Sequence, residues 1–199
     1  MNWDYVDIGT CDFEVADGVF FDDKNYLLVE PMSEYLDRLP TGENIKKENS
    51  ACSKKCGSFE IFYVPESVIL ELNLPLWMKG CSKVNEPHKV VLNYLNSIGV
   101  GREIIKSKTI NVISFNKLVE KYNIKHIANL KIDTEGHDHI ILNEVASLLH
   151  SNKMSCDSIK VEYIIGRYGN TDEIDRVAYS LRRLLPNVKM QSENLTISK

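Results

Sequence analysis

The sequence predicts an α/β domain built on a largely parallel sheet. Three observations predict it: short apolar, β-branched runs recur along the chain, helical patterns separate them, and the clearest connecting helix carries a single apolar stripe. A terminal antiparallel hairpin is expected at one edge of that sheet.

Taken in order, Tyr5-Val6-Asp7-Ile8-Gly9 reads as a strand ending in a turn, and Tyr26 to Pro31 as a second strand. Phe59 to Val64, Thr109 to Ile113, Ile127 to Asp133 and Ile159 to Ile164 follow as further strands. Between the last two, Ile141, Leu142, Val145, Leu148 and Leu149 fall on one helical face, so that segment is the crossover between parallel strands. The turn Gly166 to Asn170 leads to Thr171, an N-cap, and to a second striped helix bearing Ile174, Val177, Leu181, Leu184 and Leu185, which Pro186 stops. Val188 to Met190 and Leu195 to Ile197 make the terminal hairpin. The segment at about 65–88 has no sustained period and reads as an insertion on the substrate side, anchored by Leu76 and Trp77.

Composition supports one compact domain over residues 1–199: 43% of the chain is hydrophobic and 26% charged. Collagen, coiled coil and long disordered tails are excluded. The net charge of -4 offers no general attraction to a polyanion, so no nucleic-acid partner is expected and the partner is small. The lysine pairs Lys46-Lys47 and Lys54-Lys55 read as solvated loops. No apolar run approaches the roughly 20 residues that cross a bilayer, so no membrane association is expected. The opening Met1-Asn2-Trp3-Asp4 resembles no signal or transit peptide, which points to a cytoplasmic protein. Five scattered cysteines, an odd number, do not suit a disulfide framework, and a reducing compartment fits them.

Ligands of open parallel sheets bind beyond the carboxyl ends of the strands, and four carboxylates are placed there: Asp7, Glu30, Asp133 and Glu162. Each has an ordinary alternative as a helix cap or a partner of lysine. Glu30 stands 21 residues after Gly9, near the offset at which an acidic side chain receives two ribose hydroxyls. The phosphate fingerprint G-x-G-x-x-G is absent, because Cys11 and Glu14 occupy its next two places, and Asp12 with Glu14 would repel a pyrophosphate. S-adenosylmethionine has the ribose without the phosphate, and its cation suits acidic surroundings. The residues therefore favour a methyl donor over NAD.

The order of motifs Asp7-Ile8-Gly9-Thr10-Cys11-Asp12-Phe13, Leu28-Val29-Glu30-Pro31, Asn49-Ser50-Ala51 and Lys131-Ile132-Asp133-Thr134-Glu135-Gly136, the last followed by Asp138, resembles the FkbM family of S-adenosylmethionine-dependent methyltransferases over nearly the whole chain. Phe13 departs from the usual second glycine, and the chain is similar instead to a branch with Gly-Thr-x-Asp-Phe, Glu30 to Pro40 and Pro75 to His88 segments of this kind. The resemblance implies a class I methyltransferase, Rossmann-like three-layer sandwich. It implies Asp7, Gly9 and Thr10, with Cys11 and Asp12 in the same turn, at the methionine and ribose of the donor. It also implies Glu30, followed by Pro31, on the ribose hydroxyls, and Asn49, Ser50 and Ala51 near the adenine. Characterised members mostly methylate hydroxyl groups on sugars or secondary metabolites, so the acceptor is expected to be a glycan or small molecule.

In-line transfer needs a group that accepts the acceptor's proton, and Asp133, Glu135 and His137 are the candidates, Asp133 first. Glu135 has the alternative of satisfying backbone donors at the helix that follows Gly136, and His137 that of a solvent-facing helix start. Mg²⁺ on Asp133, Glu135, Asp138 and Glu162 is the less favoured version, and no metal is assigned. Zinc on Cys52, Cys56, Cys81, His88, His137 and His139 lacks a compact ligand pair. Trp77, Lys79 and His88 are expected to form one wall of the acceptor pocket. The rival from another class is a non-catalytic binding module that keeps the fold, motivated by Phe13.

Overall fold

A computed structural model of the chain describes residues 1–12, 23–163, 171–191 and 194–199. Phe13, Glu14, Ile164 and the turn Gly166 to Asn170 lie outside the described residues, as do positions 192–193 of the hairpin turn. Along the chain run β1 (Asn2–Ile8), β2 (Tyr26–Val29), α1 (Ser33–Leu36), β3 (Ile45–Glu48), β4 (Ala51–Ser53), β5 (Gly57–Tyr63), α2 (Glu66–Glu71), β6 (Lys83–Val84) and α3 (Lys89–Ser97). They are followed by β7 (Lys106–Ser114), α4 (Phe115–Lys121), β8 (His126–Ile132), α5 (Asp138–His150), β9 (Ser155–Glu162), α6 (Thr171–Leu181), β10 (Asn187–Gln191) and β11 (Asn194–Ser198).

The chain divides into two compact units, one of residues 1–56 with 112–199 and one of residues 57–111. The first holds a seven-stranded sheet in the order β10-β11-β9-β8-β1-β2-β3. Its centre is parallel: β1 pairs in parallel with β2 and β8, β2 with β3, and β8 with β9. The C-terminal pair is antiparallel, β11 against both β10 and β9. All four side chains of β2 are buried, and they alternate. Leu27 and Val29 join the main core with Ile8, Leu130, Ile132, Ile159 and the α5 residues Ile141, Leu142 and Val145, whereas Tyr26 and Leu28 join a second cluster with Leu36 and Leu39. A strand buried on both faces reads as an unbroken apolar run, which is why Tyr-Leu-Leu-Val marked it. The stripe expected between β8 and β9 is α5, fully buried along Ile141, Leu142, Val145, Leu148 and Leu149.

Three expectations change. Phe59 to Val64 and Thr109 to Ile113 fall in β5 and β7, which belong to a separate four-stranded sheet, β4-β7-β5-β6, and not to the parallel one. Apolar periodicity identifies a strand but not the sheet it joins. Lys46-Lys47 is not a loop: it lies in β3, the edge of the parallel sheet, where charged side chains discourage further strand pairing. Leu184 lies beyond α6 and is exposed, because the chain turns away after Leu181 before Pro186 is reached.

The second unit contains the segment at 65–88, which includes α2, a 3₁₀ turn at Leu76–Lys79 and β6. Its core is Val64, Ile69, Leu74, Met78, Cys81, Val91 and Leu95. The expected anchors are displaced by neighbours: Leu76 is 60% and Trp77 40% exposed, while Leu74 and Met78 are buried. Trp77 packs edge-on against Tyr94 with ring centroids 5.7 Å apart. Among the described residues no helix is long and apolar enough to cross a membrane.

Candidate active site

The strand order places the site. From β1 the chain proceeds outward through β2 and β3 on one side, and later through β8 and β9 on the other, so the order reverses between β1 and β8. Beyond the carboxyl ends of such neighbouring strands a crevice opens, and ligands of open α/β sheets bind there.

β1 is stitched to both neighbours past its formal end, Gly9 N–H donating to the Val29 carbonyl at 2.9 Å and Asp133 N–H to the Ile8 carbonyl at 2.9 Å. Gly9 has φ +84°, and a Cβ built there would lie 1.7 Å from the Asp133 carbonyl oxygen, so only glycine fits. The turn then folds onto the next strand. Cys11 N–H donates to Glu30 Oε2 at 2.9 Å, Met32 N–H donates to Glu30 Oε1 at 2.9 Å, and the Thr10 hydroxyl donates to the Cys11 carbonyl at 3.0 Å. Asp12 pairs with Arg38 at 2.8 Å. Glu30 is 5% exposed. Burial, outweighing its two backbone donors and helped by the nearby charges of Asp7 and Glu34, pushes its carboxyl up to about 7.

Asp7 is 3% exposed, and Lys131 Nζ stands 3.8 Å from Asp7 Oδ1 and 3.5 Å from Asp133 Oδ2. Lys131 carries no role in the sequence reading beyond opening the Lys131-to-Gly136 motif, although a lysine between the buried Leu130 and Ile132 is itself a signal of a charge with work to do. Asn49 donates through Nδ2 to the carbonyls of Glu30 at 2.9 Å and Pro31 at 3.1 Å, which holds the segment after β2. Ser50 donates to Glu48, and Ala51 opens β4. Burial opposes the charge of Glu48, but hydrogen bonds from Lys121, Tyr122 and Ser50 prevail and hold its carboxyl below the usual range.

The turn after β8 carries the candidate proton acceptors. Glu135 has φ +52° and Gly136 φ +111°. Asp138 satisfies backbone donors of this turn: its carboxylate accepts from Thr134 N–H at 2.9 Å and from Gly136 N–H at 3.1 Å. Among the described residues Asp138 is not one of the carboxylates of the Mg²⁺ set that come together. One oxygen each from Asp133, Glu135 and Glu162 still lie within 4.8 Å of one another, close enough for a single cation or a polar substrate group to bridge them. His137 precedes α5, and its Nδ1 is 3.0 Å from Ser53 Oγ on β4.

Asp138 is 1% exposed, and burial, with the charge of Asp133, pushes its carboxyl up to about 7. A carboxyl raised in the folded state binds its proton more tightly there than in the unfolded chain, so its contribution to stability is complete below about 4 and is lost as pH rises through about 7. Glu30 acts with the same sign. Unfolding midpoints in urea are therefore expected to fall between pH 5 and pH 8. Asp138→Asn strands one backbone N–H at every pH, costing about 1–3 kcal/mol, and flattens that decline; an unchanged slope would refute the assignment.

Of the other candidates, ligand atoms of Cys81 and His88 come within 4.8 Å of one another, and the rest are distributed differently. Lys79 pairs with Glu66 at 3.6 Å, and His88 caps α3 by accepting from Val90 N–H at 3.3 Å; with Trp77 both lie in the second unit. Cys52 is buried, which pushes its thiol far up, and Cys56 exchanges hydrogen bonds with Ser114. His139 stands 3.8 Å from Glu173. A surface cavity of about 410 Å³ lined by Asn116, Asn123, Leu148 and Lys153 contains none of the residues expected at the site.

Residues 7–184 match the family model described as the methyltransferase FkbM domain. Among solved structures, the crystal structure of methyltransferase FkbM from Methylobacillus flagellatus KT aligns with the whole chain at a TM-score of 0.50 and 12% identity, a likeness of fold. The chain spans 44% of that protein's length. No curated protein matches the chain. With the family model extending from the first strand to the end of the last helix, the chain belongs to the FkbM methyltransferase family.

Proposed function

We propose that the protein is an S-adenosylmethionine-dependent methyltransferase of class I, Rossmann-like architecture, which transfers the methyl group to a hydroxyl of a sugar, glycan or small metabolite. We read residues 1–199 as one methyltransferase domain acting in the cytoplasm. The observation that carries the reading is Glu30, a buried carboxylate just past β2 and beside the point where strand order reverses.

The residues fit the donor. Glu30 uses one acceptor position on each oxygen for Cys11 and Met32, and a carboxylate offers about four, so two remain for a ribose diol. Cys11 directs its N–H to Glu30, and the acidic Asp7 stands nearby, so this turn suits a ribose and a cation better than a pyrophosphate. When bound, S-adenosylmethionine supplies a methyl group on a sulfonium, open to in-line displacement.

The chain contributes binding, orientation and a place for the proton. Asp7, Gly9 and Thr10 shape the turn at the donor, while Asn49 holds the backbone behind Glu30. Lys131 offsets part of the repulsion between Asp7 and Asp133. Asp133, on the turn after β8, receives the acceptor hydroxyl's proton as the new bond forms.

Calorimetric titration with S-adenosylhomocysteine tests the reading: micromolar binding is expected, and no binding would sink it. Asp133→Asn is expected to keep that affinity within about twofold while lowering methyl transfer to a glycan mixture by about 10²–10⁴. A fully active variant would remove Asp133 from the proton path.

A further inference from the structure

We infer that Ser53 is a positioning residue that fixes the tautomer of His137, donating its hydroxyl proton to Nδ1 so that the ring carries its own proton on Nε2 and acts as a hydrogen-bond donor. The geometry rests on one contact, Ser53 Oγ to His137 Nδ1 at 3.0 Å, which admits a proton on either atom. Polar satisfaction decides between them.

Ser53 ends β4, where its backbone is in register with Ser114 of β7, and it is 5% exposed. Among the described residues its hydroxyl has His137 as its hydrogen-bond partner. If Nδ1 held the proton, the serine O–H would be buried with nothing among the described residues to donate to, and stranding a buried donor is costly. If the serine donates, only oxygen lone pairs go unfilled, and these are more readily left so.

The same hydroxyl bears on the charge state: an imidazolium holds a proton on both ring nitrogens and would again leave the buried Ser53 O–H facing a donor. A neutral ring with Nδ1 occupied has its proton on Nε2. Such a ring cannot take a proton from an acceptor hydroxyl; it can donate to an oxygen. That consequence rests on the methyl-transfer reading, and it leaves proton acceptance to Asp133. The tautomer itself does not depend on the reading.

The experiment is nitrogen-15 NMR of the histidine rings in the full-length protein at pH 8, with His137 assigned by the resonance lost in His137→Asn among the five histidines. The expected result is a protonated Nε2 and an unprotonated Nδ1 shifted by accepting a hydrogen bond. In Ser53→Ala the Nδ1 resonance moves to the position of an unbonded ring nitrogen, and Ser53→Thr restores it. A protonated Nδ1 or an imidazolium in the wild type overturns the inference, as does an Nδ1 resonance unmoved in Ser53→Ala. The wild-type spectrum decides the matter even where a variant fails to fold. Titration of the same sample with S-adenosylhomocysteine reports separately on the donor site, so failure of one reading is distinguishable from failure of the other.

Discussion

Gly9→Ala is expected to destabilise the protein by about 2–5 kcal/mol, as the sum of a left-handed backbone penalty of about 1–2 and an overpacking cost of about 1–3. The second contribution is the more secure, because the new methyl would sit 1.7 Å from the Asp133 carbonyl oxygen and 2.8 Å from its carbon. Neither is the far end of a flexible side chain. The Asp133 backbone is fixed from the other direction by its N–H bond to the Ile8 carbonyl, so β8 cannot retreat without breaking the rung that ends the β1–β8 pairing. Against a total stability of about 5–15 kcal/mol such a loss is a large fraction. Urea unfolding gives the number. A variant within about 0.5 kcal/mol of wild type would show that the two strand ends are not held as close as the structure places them. Because the substitution pushes on Asp133, any folded fraction is also expected to lose methyl transfer more than donor affinity.

The same contact shows what the sequence could and could not disclose. Glu30 was legible as a residue at a strand end, because β2, buried on both faces, announces itself as an apolar run and the next polar residue marks its end; Asp133 follows Ile132 at the end of β8, Glu162 is the last residue of β9, and Asp7 lies within β1, one residue before its end. What holds those carboxylates was not legible. Arg38 meets Asp12 across 26 positions, Lys131 meets Asp7 from another strand, and Ser53 meets His137 across 84 positions, and no local period encodes such pairings. The strand β3 was hidden for a different reason. Ile45-Lys46-Lys47-Glu48 has the charge of a loop because an edge strand is selected for charge, so composition and structure point in opposite directions there. Asp138 entered the less favoured Mg²⁺ set because an isolated sequence does not say which carboxylates accept from backbone donors.

Glu30→Ala is expected to weaken S-adenosylhomocysteine binding about ten- to hundredfold, the loss of charge-assisted hydrogen bonds worth about 1.5–3 kcal/mol. That result alone would not distinguish a ribose ligand from a brace, since Glu30 also accepts from Cys11 and Met32 and its removal loosens the turn. The pH dependence separates the two. In the free protein burial pushes the Glu30 carboxyl up to about 7. Ribose hydroxyls donate to the ionised form, so binding favours the carboxylate and expels a proton wherever the free protein holds one. The sign follows: affinity rises as pH increases through about 7 and levels off above it, with binding at pH 6 about tenfold weaker than at pH 8.5. Calorimetry in two buffers of different ionisation enthalpy counts the proton directly, and approximately one should be released per ligand at pH 6. In Glu30→Gln the affinity should be low and nearly flat with pH. If wild-type binding releases no proton and does not vary between pH 6 and 8.5, Glu30 braces the turn without touching the donor, and the ribose must be held by another residue at this strand end.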